Sequence, residues 1–175
     1  MARHFNITGA SSAAAELTRE LLAVGGGVSV SKISLANIHA THPCTVDLYI
    51  EKKLTGKFYL LKGVELPIGA TLIYEDMKFV NTTGEFGLYI KLTDGATFTL
   101  TGSIDPAAST TVPGVNTLFL SEISVGDEIV VSSETRTVSA IASDTSLTVS
   151  AATTNTANDT SPDCNPTALV DVIIN

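Results

Sequence analysis

Hydrophobic and polar residues alternate in short segments between residues 28 and 92. The segment TVDLYIEKK places every second residue from Val46 to Ile50 on one apolar face, and FGLYIKL does the same from Leu88 to Leu92. A period of two residues is typical of β-strands that bury one face. Turn-forming residues recur about every ten positions, as in PIGA at residues 67–70. This spacing predicts an antiparallel β-sandwich.

The alternation changes phase once, within the segment GGGVSVSKISLANI. Val30 and Ile33 would face opposite sides of a regular strand, so the change of phase predicts a β-bulge at Ser31 and Lys32. The glycines at residues 25–27 precede a strand instead of the N-terminus of a helix. They therefore predict a turn and not a phosphate-binding loop.

Residues 11–24, SSAAAELTRELLAV, are compatible with two structures. Their helix propensity favours a helix with Ser12 as its N-cap and with an apolar face that runs from Ala14 to Leu22. Tertiary contacts often override propensity, so an extended conformation stays open.

The composition changes after Leu92. The next segment is rich in Thr, Ser and turn residues, with three short strands in VGDEIVVSSETRTVSAIASDTSLTVS and a loop at TNTANDTSPDCNP. The final residues are apolar again, and a strand that short must join a sheet formed by earlier residues. We therefore predict that LVDVIIN pairs with FGLYIKL. Residues 93–166 would then form a small β-domain inserted into residues 1–92 plus 167–175.

Charge and cysteine content exclude several classes of function. The formal net charge is −8 and the pI is about 4.7, which disfavours nucleic acid and anionic lipid as partners. The N-terminus lacks the apolar core of a signal peptide, and no apolar run reaches the roughly 18 residues of a membrane span. The sequence thus predicts a protein made in a cytoplasm. Cys44 and Cys164 are far apart in the sequence and could pair only if the fold brings them together, and in a reducing compartment two buried or idle thiols are the preferred interpretation.

Two parts of the chain resemble modules of tailed-bacteriophage virion proteins, especially marine and cyanobacterial ones. The first is KISLANIHATHPCTVDLYIEKKLTGKFYLLKGVELPIGATLIYED, which carries the module's Asn37 loop, its V-x-L-Y-I strand at 46–50 and its G-x-T-L turn at 69–72. LVDVIIN at 169–175 resembles the closing strand of that β-sandwich module. The inserted segment from TTVPGVN to SLTVS is similar to a second phage module, a small β-barrel.

The resemblance implies an all-β protein: an antiparallel sandwich of the jelly-roll or immunoglobulin-like type, with a small β-barrel inserted before the last strand. It also implies that residues 11–24 are largely extended. The implied function is a non-enzymatic structural component of the virion, placed on the capsid surface as decoration or at the neck or tail. Its expected partners are copies of itself and other virion proteins, and assembly would take place in the cytoplasm of the host bacterium.

The candidate metal site is NIHATHPC, residues 37–44. His39 and His42 could share a zinc ion with Cys44, and Asp47 could supply a fourth ligand. Pro43 constrains the loop, and no second cluster of cysteine and histidine lies nearby in the sequence. The preferred interpretation is a solvent-facing loop between two strands, without metal.

No catalytic or cofactor-binding residues are predicted. The chain lacks the sequence motifs of nucleophilic, nucleotide-binding and zinc-dependent enzymes. Glu75 and Asp76 are adjacent, so as strand residues they face opposite sides and cannot flank one bond. Gly126 and Asp127 predict a tight turn.

An alternative function is recognition of host-surface carbohydrate by the inserted barrel, although residues 99–166 contain a single aromatic residue, Phe119. A third class, a cell-wall hydrolase, has no candidate residues.

Overall fold

The computed structural model describes residues 2–9, 16–25, 27–52, 56–80 and 86–175. These residues form antiparallel strands and one short helix, α1 (Phe119–Glu122). The strands are β1 (Arg3–Thr8), β2 (Glu16–Leu22), β3 (Ser29–Val30), β4 (Ile33–Asn37), β5 (Cys44–Lys52), β6 (Gly56–Leu66), β7 (Thr71–Tyr74), β8 (Phe79–Val80), β9 (Phe86–Thr93), β10 (Phe98–Thr99), β11 (Ser103–Ile104), β12 (Thr111–Val115), β13 (Glu128–Val131), β14 (Glu134–Ser143), β15 (Ser146–Val149), β16 (Asp163–Asn165) and β17 (Leu169–Ile174). The predicted all-β, antiparallel fold class is confirmed.

The described residues divide into two compact units. Unit 1 contains residues 2–9, 168–175 and the described part of 16–93, and unit 2 contains residues 94–167. Each unit has its own cluster of buried apolar side chains. Unit 2 therefore occupies the stretch of chain between β9 and β17. Independent folding of the two units stays a prediction.

Unit 1 is a sandwich of two four-stranded sheets. Sheet I has the strand order β1–β17–β4–β7, and sheet II has the order β2–β9–β5–β6. Alternate residues of both sheets form one core, because successive side chains on a strand point to opposite faces. Val46, Leu48, Leu88, Ile90 and Leu92 are fully buried, as the alternation predicts.

Residues 16–22 form the edge strand β2 of sheet II, so this part of the ambiguous segment is extended and not helical. Leu21 and Leu22 are both buried, and the register slips between Glu20 and Leu22. The irregularity allows two consecutive leucines to enter the core. Burial of these side chains against β9 outweighs the local helix propensity. The rest of the predicted segment, residues 11–15, lies outside the described residues.

The predicted bulge lies where the sequence placed it, between β3 and β4. The backbone N–H groups of Ser31 and Lys32 both donate to the carbonyl of Asn175, at 2.8 and 3.1 Å. Two residues opposite one partner is the arrangement of a bulge. The predicted turn at residues 67–70 is also present, with the Ala70 N–H donating to the Pro67 carbonyl and Gly69 at φ 66°.

The prediction that LVDVIIN pairs with FGLYIKL is wrong. Strand β17 lies in sheet I between β1 and β4, whereas β9 lies in sheet II between β2 and β5. The last strand thus completes the sheet opposite to β9. Both sheets offer apolar, alternating neighbours, so the sequence pattern alone could not choose between them.

Unit 2 is built on one seven-stranded antiparallel sheet, which is compatible with the predicted small β-barrel. Its strands follow the order β10–β16–β13–β14–β15–β12–β11, and only Leu100 to Gly102 separate β10 from β11 in the chain. The two ends of the sheet are therefore neighbouring parts of one segment. A further bridge joins Ile104 to Asp159, with N–H to carbonyl distances of 2.8 Å in both directions. The two end strands, β10 and β11, have only two residues each, so the sheet leaves few unpaired edge groups.

Three local features of unit 2 can be compared with the sequence pattern. The segment TNTANDTSPDCNP, predicted as a loop, contains strand β16, because Asp163–Asn165 pairs with both β10 and β13. A tight turn joins β13 to β14, with Ser132 and Ser133 at φ 50° and 70°. Such angles at both central residues fit a two-residue hairpin. Gly126, at φ 102°, forms the predicted turn before β13.

We expect unit 1 to fold without unit 2. In a variant with residues 94–167 replaced by about six Gly and Ser residues, the linker reaches roughly 13 Å, enough to cross between two sheets packed about 10 Å apart. All four tyrosines lie in unit 1, so near-ultraviolet circular dichroism of tyrosine should show a cooperative thermal transition. Loss of that transition would show that unit 1 depends on unit 2 and would contradict the insertion model.

Candidate functional site

The candidate loop NIHATHPC connects β4 to β5, as predicted, but it does not face solvent throughout. Asn37 and His39 are 1% and 5% exposed. The Asn37 amide donates to the carbonyls of Leu66 (2.9 Å) and His42 (3.1 Å), and its oxygen accepts the His39 N–H at 2.9 Å. Asn37 therefore ties the loop to the end of β6, and the prediction of a solvent-facing loop is wrong for these two residues.

His39 has a structural role within the loop. Its Nδ1 accepts hydrogen bonds from the backbone N–H groups of His42 (2.9 Å) and Thr41 (3.2 Å). The ring of His42 lies edge-on to that of His39, with centroids 5.6 Å apart, and its Nδ1 lies 2.8 Å from the Thr41 hydroxyl. An imidazole nitrogen that accepts two N–H groups closes a tight turn in the way that a backbone carbonyl would.

The four candidate ligands do not form one site. Cys44 is buried in the core of unit 1, and Asp47 is bound to residues of β6. No three of these four described side chains place their ligand atoms within 4.8 Å of one another. The proposed combination of His39, His42, Cys44 and Asp47 is therefore not assembled in this structure.

The two cysteines do not form a disulfide bond. Cys44 lies in the core of unit 1 and Cys164 in the core of unit 2. Burial raises the pKa of the Cys164 thiol well above its usual range, so this side chain stays protonated and behaves as a small apolar residue.

The most distinctive polar feature of unit 1 is on the outer face of sheet II. We call it the tyrosine–lysine surface, and it consists of Tyr49, Tyr59, Tyr89, Lys57 and Lys62. The register places Tyr49 of β5 opposite both Tyr89 of β9 and Tyr59 of β6. The ring centroids of Tyr49 and Tyr89 are 5.6 Å apart and nearly parallel, and those of Tyr49 and Tyr59 are 5.5 Å apart. Aromatic pairs across strands stabilise a sheet and stiffen its face.

The two lysines cover the tyrosine rings. The Lys57 ammonium lies 4.6 Å from the ring centroid of Tyr49, and the Lys62 ammonium lies 4.4 Å from that of Tyr59. Tyr49 is 1% exposed, although the alternation predicted that it would be on the solvated side of its strand. Its neighbours on the same face exclude water from it. Tyr59, by contrast, is 45% exposed and is the accessible ring of this surface.

Gly87 gives Tyr89 the room to lie along the sheet. A Cβ atom at Gly87 would lie 2.8 Å from the Tyr89 ring. The glycine is buried beneath that ring, so the aromatic side chain covers the gap that the missing side chain leaves.

Asp47 fixes the edge of this surface. Strand β6 has an irregular register on both sides of Leu61, and Lys62 and Gly63 together lie opposite Asp47. The Asp47 carboxylate accepts the Gly63 N–H at 2.6 Å and the Lys62 ammonium at 2.8 Å. Gly63 has φ 61°, the left-handed conformation that a bulge of this kind requires. A buried carboxylate on β5 therefore holds the bulge of β6.

The charges of this group support one another. Burial alone would raise the pKa of Asp47, but the hydrogen bonds from Lys62 and Gly63 together outweigh that effect and hold the pKa below its ordinary value of 3.8. The hydrogen bond with Asp47 raises the pKa of Lys62, and contact with the Tyr49 phenol raises that of Lys57. The phenol oxygen of Tyr49 is buried and forms no hydrogen bond of regular geometry. Both lysines thus stay charged at neutral pH.

We expect Asp47→Ala to lower the free energy of unfolding of unit 1 by about 2 kcal/mol, because it leaves the Gly63 N–H without its acceptor. Asp47→Asn keeps an acceptor and removes the charge, so it should cost less.

A depressed pKa of Asp47 stabilises the fold above pH 3.8, and this stabilisation is lost as the pH falls through the lower pKa of the folded state. The acid-induced decrease in the melting temperature should therefore be shallower in Asp47→Asn than in the unaltered protein. Equal slopes of melting temperature against pH in Asp47→Asn and the unaltered protein would contradict a stabilising charge at Asp47.

The other predicted acidic pair has no catalytic geometry. Glu75 accepts a hydrogen bond from the Lys32 ammonium at 2.8 Å, and Asp76 has φ 58° in the turn that follows β7. A carboxylate that is engaged with a surface lysine, next to one in a turn, is a feature of a solvated edge.

In unit 2, acidic side chains hold loops together. Glu134 accepts the hydroxyl and N–H of Thr154 and the N–H of Asn155, and these hydrogen bonds lower its pKa to about 2. Asp159 accepts the Ser132 N–H at 2.6 Å, and Asp163 accepts the Thr99 hydroxyl at 2.8 Å. Glu134 keeps its negative charge at neutral pH because these hydrogen bonds favour the ionised form.

The aromatic residues of unit 2 are Phe98, which is partly buried against the core, and Phe119. Phe119, the single aromatic residue of residues 99–166, is 0% exposed and belongs to the core of unit 2. The carbohydrate-binding alternative therefore lacks an exposed aromatic platform on the barrel.

The helix that carries Phe119 has four residues, and no helix among the described residues is long and apolar enough to span a membrane.

This sequence matches no model of a protein family and no curated protein. Solved structures with weak similarity include the infectious bursal disease virus Gx strain, at 10% identity over 98% of this chain and 32% of that chain, with a TM-score of 0.28. A T13 particle of the same virus matches at 10% identity over 99% and 35%, with a TM-score of 0.21. The serine protease of Aeromonas sobria matches at 10% identity over 100% and 26%, with a TM-score of 0.27.

The chain thus spans only about a third of the length of these proteins, or less. The TM-scores of the viral chains and of the protease are similarly low, so the similarities do not discriminate between a capsid protein and an enzyme. They carry no argument about the function of this chain.

Proposed function

We propose that this chain is a non-enzymatic structural component of a tailed-phage virion, on the capsid surface or at the neck or tail. It acts by contact with copies of itself and with other virion proteins. The sequence resemblance supports this proposal, because the segment from Lys32 to Asp76 that carries it corresponds to the consecutive strands β4 to β7 of one sandwich.

The observation that carries the proposal is the tyrosine–lysine surface. Tyrosine is enriched where proteins contact one another, because its ring buries a large area at a low cost in side-chain entropy. Here a rigid sheet with a locked bulge presents Tyr59 and two charged lysines on one face. The hydrogen bonds of Asp47 and Asn37 are internal to the fold, so these buried polar groups position backbone and not a substrate.

The test is to purify particles from cells that make this chain and to count its copies by quantitative mass spectrometry. We expect a fixed copy number that is a multiple of the symmetry of one part of the particle. Electron microscopy of particles that carry an antibody label would then distinguish the capsid surface from the neck and tail. Particles that are fully assembled and infectious without the chain would contradict the proposal.

A further inference from the structure

At one end of the unit 1 sandwich, the core-facing side of sheet II continues beyond its buried residues. Ile50 and Lys52 follow the buried Leu48 at alternate positions of β5, so all three face the same side. The register places Phe58 of β6 opposite Ile50, and Phe86 of β9 opposite Lys52. Residues directly opposite one another in an antiparallel pair share a face, so these side chains lie together on the core-facing side.

A cavity that opens to solvent, which we call the end cavity, is lined by Ile50, Lys52, Phe58 and Phe86. Its volume is about 450 Å³, within the ~300–1,000 Å³ that is typical of sites for small molecules. Ile50 packs against the core, whereas Phe58 is 52% exposed although it is on the core-facing side. The end cavity is therefore an unfilled continuation of the core of unit 1.

The walls of the end cavity are apolar. They consist of two phenyl rings and one branched alkyl side chain. An apolar group that enters the cavity covers these side chains and removes their surface from water, which favours binding. Phe58 is the most exposed of the three apolar side chains, so its ring gains most from a ligand.

Lys52 supplies the one charged group among the described residues that line the end cavity. Its ammonium lies 5.6 Å from the ring centroid of Phe86, so the positive charge lies beside an apolar wall. Glu51, the preceding residue, faces the opposite side of β5. An ammonium group has three N–H donors and can therefore bind a ligand oxygen in addition to a protein group. A ligand that matches this lining has an apolar body and one anionic group.

We infer that the end cavity binds an amphipathic carboxylate, with its alkyl chain against Ile50, Phe58 and Phe86 and its carboxylate at the Lys52 ammonium. Octanoate is a ligand of this class. A sugar would instead place hydroxyl groups against the phenyl rings, where they lose hydrogen bonds to water. The inference does not depend on the proposed virion role, because the end cavity lies within unit 1 of a single copy.

The test titrates the full-length protein with octanoate and follows binding by isothermal titration calorimetry and by the methyl NMR signals of isoleucine. We expect saturable binding with a dissociation constant of about 1 mM or less, together with a shift of the Ile50 methyl signals. The spectrum of Ile50→Val, which lacks these signals, assigns them.

Phe58→Ser should raise the dissociation constant at least about tenfold, because it removes the most exposed ring from the cavity wall. The matched control is Ile73→Ser, which removes a side chain of similar exposure, 50%, from the outer face of sheet I, opposite Ser34. It should change the dissociation constant by less than about twofold. Both side chains are exposed, so both variants should fold, which tyrosine near-ultraviolet circular dichroism checks.

Heptanol, which carries the same heptyl chain with a neutral hydroxyl group, tests the role of Lys52. It should bind at least about threefold more weakly than octanoate at low salt. Lys52→Met keeps an apolar stem and removes the charge, so it should reduce this ratio to less than about twofold.

Three results would overturn the inference: no saturable binding of octanoate up to about 10 mM, equally tight binding by Phe58→Ser and Ile73→Ser, or equally tight binding of heptanol and octanoate. Any of these results leaves the proposed virion role intact, because that role is tested by the copy number in particles.

Discussion

Val172→Asp is expected to remove a large part of the stability of unit 1. Val172 is 0% exposed and lies at the centre of sheet I, opposite Phe5 of β1 and Leu35 of β4. The change replaces a buried apolar side chain with an unpaired carboxylate, which costs at least about 4 kcal/mol. Domains of this size are stable by roughly 5–15 kcal/mol in total, so little stability would remain.

The matched control for this prediction is the next residue. Ile173 faces outward between His4 and Ser34 and is 37% exposed, so Ile173→Asp should cost less than about 1 kcal/mol. Tyrosine near-ultraviolet circular dichroism reports on unit 1 alone and checks both variants. If the two substitutions are equally tolerated, β17 does not occupy the centre of sheet I.

Gly102→Ala is expected to disrupt unit 2 with little effect on unit 1. Gly102 has φ 82°, and a Cβ atom there would lie 2.4 Å from the carbonyl oxygen of Val115 and 2.7 Å from the backbone of Asn116. Conformational strain of about 1–2 kcal/mol adds to overlap with atoms that cannot move aside, so we expect a cost of at least about 3 kcal/mol. Because Gly102 directly precedes β11, the substitution should push β11 away from β12 and break the pairing between these two strands.

Hydrogen exchange measured by mass spectrometry should show faster exchange throughout residues 94–167 of this variant, with the tyrosine signal of unit 1 unchanged. Gly69→Ala is the control, since Gly69 has φ 66° but a Cβ atom there meets nothing within 4 Å. It should cost about 1 kcal/mol from conformational strain alone. Equal destabilisation by the two substitutions would show that close packing at Gly102 does not maintain the barrel.

The tyrosine–lysine surface could be predicted only in part. The alternation places Tyr49 and Tyr89 on the outer side of their strands, and both tyrosines follow a leucine and precede an isoleucine. The sequence signal for Tyr59 is hidden, because KFYLLKGVEL has no clear period of two residues. The structure explains this by the two irregularities of β6, which bring Tyr59 opposite Tyr49 and leave Leu60 and Leu61 against the core.

The loop with the two histidines shows the limit of motif analysis. The sequence correctly placed NIHATHPC between two strands. The four-ligand combination that it made possible is not assembled, because residue types alone do not give the directions of the side chains. Cys44 is the first residue of a strand and points into the core, while Asp47 is needed by Gly63 of β6. Burial decided the role of Cys44, and hydrogen bonds from backbone N–H groups decided the roles of His39 and Asp47.

The sequence by itself determined the fold class, the turns and the buried faces of β4, β5 and β9, because these depend on local periodicity and on residues such as Gly69 with special backbone angles. Tertiary structure decided the neighbours of each strand. An apolar strand such as LVDVII can complete either sheet of a sandwich with the same local pattern, so its place between β1 and β4 follows from packing of the whole core. Tertiary contacts likewise made residues 16–22 a strand and Asp163–Asn165 part of a barrel, because pairing with neighbouring strands outweighs local propensity and composition.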